Sequence, residues 1–105
     1  MTGAALVWCP FPDEATARDA ANSLLDDRLV ACANMLTGMR SLFVWQGTRA
    51  QAEETGVLFK TEADLLDRVI ARLELIHPYD EPAIVGWRCD AASPATIAWL
   101  GELGA

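Results

Sequence analysis

The chain's only histidine and only tyrosine stand two residues apart in Leu-Ile-His-Pro-Tyr-Asp-Glu-Pro, residues 75–82, next to two carboxylates. An imidazole that can take a proton or a cation, a phenol, and the carboxylates of Asp80 and Glu81 are the groups with chemistry to offer. Pro78 keeps His77 out of the helical region of backbone space, and Pro82 does the same for Glu81. The stretch therefore predicts a stiff, polar connection from a helix to a strand. His77 sits at the helix C-terminus, where partial negative charge favours the imidazolium form. With Cys9 added, the set could serve as nucleophile, base and orienter. Against that, the chain has neither a strand-turn-helix nucleophile elbow nor a glycine-rich phosphate loop, and it reads as a protein that is not an enzyme.

The elements that must position these groups belong to one domain, residues 1–105, long enough for a single real core. A net charge of −7 and a pI near 4.4 leave no basic patch for nucleic acid or an anionic membrane, and make cations the natural small partners. No apolar run approaches the roughly 20 residues that span a bilayer, and the start of the chain lacks a signal-peptide pattern. The expected address is the cytoplasm. Cys9, Cys32 and Cys89 are odd in number and lack C-x-x-C spacing, which fits reduced thiols. Cys32 and Cys89 read as small buried apolar residues. Cys9, at a strand end beside prolines, is expected to be the accessible thiol.

Residues 4–9 are a short apolar run closed by Pro10 and Pro12, which predicts a strand buried on both faces and ended by the prolines. Asp13 offers an N-cap for a helix to about Leu29, with a stripe through Ala17, Ala21, Leu24 and Leu25. Residues 30–46 read as two strand segments joined at a bulge or bend near residues 37–40. Gly47 starts a turn, a polar segment follows over residues 48–54, and residues 55–61 read as the next strand. Leu42, Phe43, Val44 and Trp45 give this hairpin arm more apolar surface than one small domain covers, a first sign of an oligomer. Thr61 and Asp64 match a loose capping pattern before Leu65, Leu66, Val69, Ile70, Leu73 and Ile76 at helical spacing. Residues 83–89 read as a strand, and Ser93-Pro94 opens a last helix with Ile97, Leu100 and Leu103 facing inward.

Strand, helix, two strands, helix, strand and a terminal helix make an α+β, ferredoxin-like split β-α-β arrangement with both main helices on one face of an antiparallel sheet. The short C-terminal helix cannot cover the other face. Neighbouring subunits are the expected cover, with the long hairpin reaching between them.

Five stretches carry a resemblance: Cys9 ahead of Pro12-Asp-Glu-Ala15, Leu-Val-Ala-Cys-Ala-Asn at 29–34, Ser-Leu-Phe-Val-Trp-Gln-Gly at 41–47, Phe-Lys-Thr at 59–61, and His-Pro-Tyr-Asp-Glu-Pro at 77–82. In order and spacing they resemble the CutA family of divalent-cation tolerance proteins over nearly the whole chain. The resemblance implies a cytoplasmic homotrimer, similar in assembly to PII signalling proteins, that binds copper or another divalent cation and takes part in the response to metal ions. Carried over by position, the family's copper ligands fall on Cys9, Ile76 and His77, so the first of two adjacent histidines is missing. Ala83 stands where members commonly carry a glutamate.

Cys9 and His77 remain as metal ligands, a chemically sensible pair for Cu(I), Cu(II) or Zn(II) but too few to close a site. Met35, Met39, Asp80 and Glu81 are possible additions. The structural alternative is that His77 caps its helix, Tyr79 packs at a subunit edge and Cys9 is an ordinary strand end. The functional alternative is a PII-like ligand-sensing or scaffold trimer, its pocket lined by Trp45, Lys60, Tyr79 and Glu81, which a small anion raising the melting temperature would reveal.

Overall fold

A continuous apolar run sets the middle of the sheet, fully buried on the helix face and only partly on the other, where the sequence predicts burial on both faces. In the computed structural model, which describes residues 3–104, β1 (Ala4–Phe11) lies between β3 (Thr48–Glu62) and β4 (Val85–Arg88), antiparallel to both, and β2 (Cys32–Trp45) pairs with β3 at the edge. The order β2-β3-β1-β4, with α1 (Glu14–Asp26) following β1 and α2 (Leu66–Ile76) following β3, is the ferredoxin-like split β-α-β topology. Ala5, Val7, Cys9 and Phe11 on β1 face the helices and are fully buried with Val57 and Phe59 of β3, Leu24 of α1, and Val69 and Leu73 of α2. Burying each of the larger side chains contributes about 1.5–3 kcal/mol.

Helix α1 starts where Asp13 accepts the Thr16 N–H at 2.8 Å. It stops at Asp26, three residues before the expected end, as Arg28 turns into the left-handed region at φ 58° and Leu29 N–H folds back onto the Leu24 carbonyl. Its buried stripe is Ala17, Ala20, Ala21 and Leu24, whereas Leu25 is exposed. Thr61 is not a cap for α2. Its hydroxyl crosses to the Leu29 carbonyl at 2.6 Å, and α2 enters through a short 3₁₀ turn, Ala63–Leu65. The C-terminal helix α3 (Pro94–Gly101) is capped by Ser93 and buries Leu100, with Ile97 left exposed.

The arm is the outer part of one continuous hairpin. Strand β3 runs unbroken from Thr48, so the polar segment expected over residues 48–54 is strand as well. Its register against β2 shifts between Leu36 and Met39, at Gly38 with φ 70°, which is the bulge expected there. Gln46 and Gly47, both with positive φ, close the tip between the paired Trp45 and Thr48, the geometry that matches strand twist in a tight hairpin.

Cross-strand parity puts Leu6, Trp8 and Pro10 on the face away from the main helices, in register with Lys60, Leu58 and Gly56. The Trp8 ring lies on Gly56, where a Cβ would fall 2.3 Å from its edge, so only glycine fits. Helix α3 reaches only one end of this face. Leu100 stands apart from the helix-side core, and Gly104 lies near the Glu62 carboxylate. Leu36, Val85 and Trp87 are left about half exposed.

Candidate functional site

The site is built from the ends of β1 and α2 and from the base of the arm. The expected stop at Cys9 does not occur: β1 continues through Pro10 to Phe11, still paired with β3. Strand β4 reaches only as far as Trp8, so beyond it the missing proline N–H costs no ladder bond and the Pro10 carbonyl is free on that side. His77 fills the place. It caps α2 with its own N–H on the Leu73 carbonyl, and its extended backbone, φ −69° and ψ 141°, is what Pro78 demands.

The imidazole is buried and stacked on Phe11, with ring centres 4.4 Å apart. Its Nε2–H donates to the Pro10 carbonyl at 2.8 Å, and its Nδ1 accepts the Tyr79 N–H at 3.1 Å. A carbonyl only accepts and an amide N–H only donates, so the roles are those of the Nε2–H tautomer. The imidazolium expected from the helix end has no lone pair for Tyr79. It is therefore not the form this geometry holds.

Tyr79 in turn ties the connection to the arm, its hydroxyl donating to Glu54 at 2.9 Å. Burial, then the bonded and charged Glu54, push the phenol up to about 12, so it stays a neutral donor. The Cys9 thiol is likewise pushed up to about 12, first by burial and then by Glu54. Its contact is the Pro10 carbonyl at 3.8 Å. Cys9 is fully buried while Cys32 and Cys89 are partly exposed, the reverse of the expected order of accessibility.

Cys9 and His77 thus meet the same carbonyl, but not as a waiting chelate. A metal needs the thiolate and an imidazole lone pair, and here the thiol is held protonated and both ring nitrogens are engaged. Among the described residues no group of three or more His, Cys, Asp and Glu side chains could hold a metal ion. Ile76 packs against the core. Met35 shares the Cys9–Val57 row two strands away, roughly 10 Å off by strand spacing, and Met39 lies beside Gly56. As folded in one protomer, these residues do not fit a closed metal site.

A cavity of about 900 Å³ opens between the arm and residues 78–83. Trp45, Tyr79 and Glu81 line it, as does Ala83; Lys60 does not, since it sits mid-sheet between Leu6 and Cys32. The wall holds Glu54, Asp80 and Glu81 and no Lys, Arg or His. An anion is therefore a poor occupant. Sequence reasoning missed Glu54 and Phe43 as site residues. The signal available was the alternation Ala50, Ala52, Glu54, which puts small residues and then a carboxylate on the face that carries Phe43 and Trp45.

Three comparisons bear on this arrangement. The family model described as CutA1 divalent ion tolerance protein matches residues 5–103. The divalent-cation tolerance protein CutA of Pectobacterium atrosepticum is 35% identical over 100 residues, covering 95% of this chain and 91% of that protein. Its namesake from Pyrococcus horikoshii is 36% identical over 97 residues, covering 92% and 94%. The crystal structure of divalent ion tolerance protein CutA1 from Ehrlichia chaffeensis superposes with a TM-score of 0.93 at 30% identity, over 100% of this chain and 98% of that one.

Proposed function

Because the chain belongs to the CutA1 divalent ion tolerance protein family, we propose that it serves divalent-cation tolerance as a homotrimer of the cytoplasm whose contact with copper or another divalent cation at Cys9 and His77 is weak. These relatives are named as tolerance proteins, not as enzymes. The observation that carries the weakness is the double engagement of His77. An incoming ion must take a ring nitrogen from Pro10 or from Tyr79 and drive the proton off a thiol pushed up to about 12. Trimer formation is supported by the half-exposed Leu36, Val85 and Trp87 and by the arm, whose Leu42, Phe43, Val44 and Trp45 are all exposed in the single chain. The three free cysteines agree with the proposed location.

Calorimetric titration with copper and zinc tests the metal reading on protein made without an affinity tag. Binding weaker than about 10 µM (~−7 kcal/mol) is expected, lost in His77→Ala and Cys9→Ser and strengthened in Ile76→His. If neither removal lowers the affinity and the added histidine fails to raise it, Cys9 and His77 are structural only. The second reading, a PII-like ligand-sensing trimer, is favoured by the cavity, with the correction that its wall suits a cation and not an anion.

A further inference from the structure

The two faces of the arm differ in charge. By the pairing register, Phe43 and Trp45 of β2 share one face with Ala50, Ala52 and Glu54 of β3, and the cavity continues this face to Asp80 and Glu81. Leu42 and Val44 share the opposite face with Arg49, Gln51 and, nearer the body, Arg40 and Glu53. Arg40 stands directly across from Glu53. Arg49 stands across from Val44, and its other neighbours on that face, Leu42 and Gln51, carry no charge. The salt bridges among the described residues are Arg18 with Glu14 and Arg72 with Asp27, so in the single chain Arg49 has no ionic partner and neither do Asp80 and Glu81.

A guanidinium beside the exposed Leu42 and Val44 thus complements two carboxylates beside the exposed Phe43 and Trp45. One chain cannot join them, because they lie on opposite faces of the same two-stranded ribbon. Two copies can. Like faces in contact would set carboxylate against carboxylate or Arg49 against Arg49, whereas unlike faces match in charge and in apolar surface. Such a head-to-tail contact closes into a ring when the rotation between copies allows it.

We propose that the cavity at the base of the arm is completed by the neighbouring subunit. The tip of the neighbour's arm enters it, with the partner's Leu42 and Val44 on the aromatic wall and the partner's Arg49 on Asp80 and Glu81. A space of about 900 Å³ is at the upper end for a small-molecule cleft and suits several side chains of an arm. The proposal rests on the trimer reading above and names the contact that holds it. It needs no metal at Cys9 and His77.

Sedimentation velocity of the full chain over a dilution series provides the test. The native chain should sediment as a trimer. Arg49→Glu, at an exposed position, should raise the concentration at which the trimer dissociates at least about tenfold. Asp80→Lys with Glu81→Lys should do the same, although it brings the acidic chain closer to zero net charge, which separates a specific contact from general repulsion between subunits. All three substitutions in one chain restore the attraction with its sign reversed, and should return the concentration to within about threefold of native. Arg68→Glu, an equal charge change at an exposed position of α2, should leave it unchanged. A native trimer that Arg49→Glu does not weaken, a combined chain no better than either parent, or an equal loss in Arg68→Glu overturns the proposal and leaves the trimer standing. A native chain that sediments as a monomer or a dimer overturns the trimer reading and the proposal with it.

Discussion

Strand β3 leads two lives. Over residues 55–62 it lies between β1 and β2 under the helices, and most of its side chains are buried; over residues 48–54 it pairs with β2 alone and its side chains are mostly exposed. The ladder with β2 continues through both halves, while the ladder with β1 ends at Thr55, and burial changes at the same point. In the first half Val57 and Phe59 meet α1 and α2 in a closed core, while in the second Ala50 and Thr48 are too small to cover Phe43 and Trp45, their partners across the ladder. On its helix side the body buries its own apolar surface, whereas the arm, like the open sheet face at Leu36, Val85 and Trp87, leaves apolar side chains exposed.

The sharpest way to break this contrast is at the arm's most apolar point. Trp45→Glu should leave the body folded, with an unchanged far-ultraviolet spectrum, yet abolish assembly, giving monomers or insoluble protein by light scattering. A variant that assembles as the unaltered chain does would show that the arm does not hold the proposed trimer together. Phe59→Ala strikes the other half of the same strand. It should cost about 3–5 kcal/mol in denaturant unfolding, since the ring is fully enclosed and the site cannot collapse around the loss. A cost under about 1 kcal/mol would mean that the body's core is not close-packed.

The smallest effect is alkaline and local to the junction. Cys9 has an ordinary value of 9.0 and Tyr79 one of 10.0, and both rise to about 12 in the folded chain, which therefore keeps its protons longer than the unfolded one. Stability from these groups is complete below pH 9 and lost as pH climbs towards 12. Cys9→Ala should flatten the curve between pH 9 and 10, where Tyr79 has barely begun to contribute. Melting temperatures that fall with pH equally steeply in both proteins across that range would show that Cys9 is not held as described.

The body was largely legible from residues. The continuous apolar run of β1, helical spacing in α2, Asp13 as a cap and the proline after His77 all act through local rules, and they placed the elements in the right order. What local rules could not give was a partner chosen across the fold. Pro10 reads as a strand breaker until one sees that β4 ends at Trp8, and Thr61 reads as a cap until its hydroxyl is found on the Leu29 carbonyl. Glu54 read as one charge in a polar run because only folding brings Tyr79 to it. The imidazolium expected at His77 failed for the same reason, since a helix end is visible in sequence and the two groups that occupy its ring nitrogens are not.

The tight turn at Gln46 and Gly47 sets a timetable. A hairpin closed by so short a loop forms in about 1–10 µs, whereas the β1–β3 ladder must first bring residues 4 and 62 together and lags by the cost of closing that long span. The part of the chain that zips earliest is thus the part its own core never covers. Between synthesis and the arrival of whatever covers it, the free edge of β2 is open to any other strand in reach, so the yield of native protein is set by concentration and encounter as much as by folding itself.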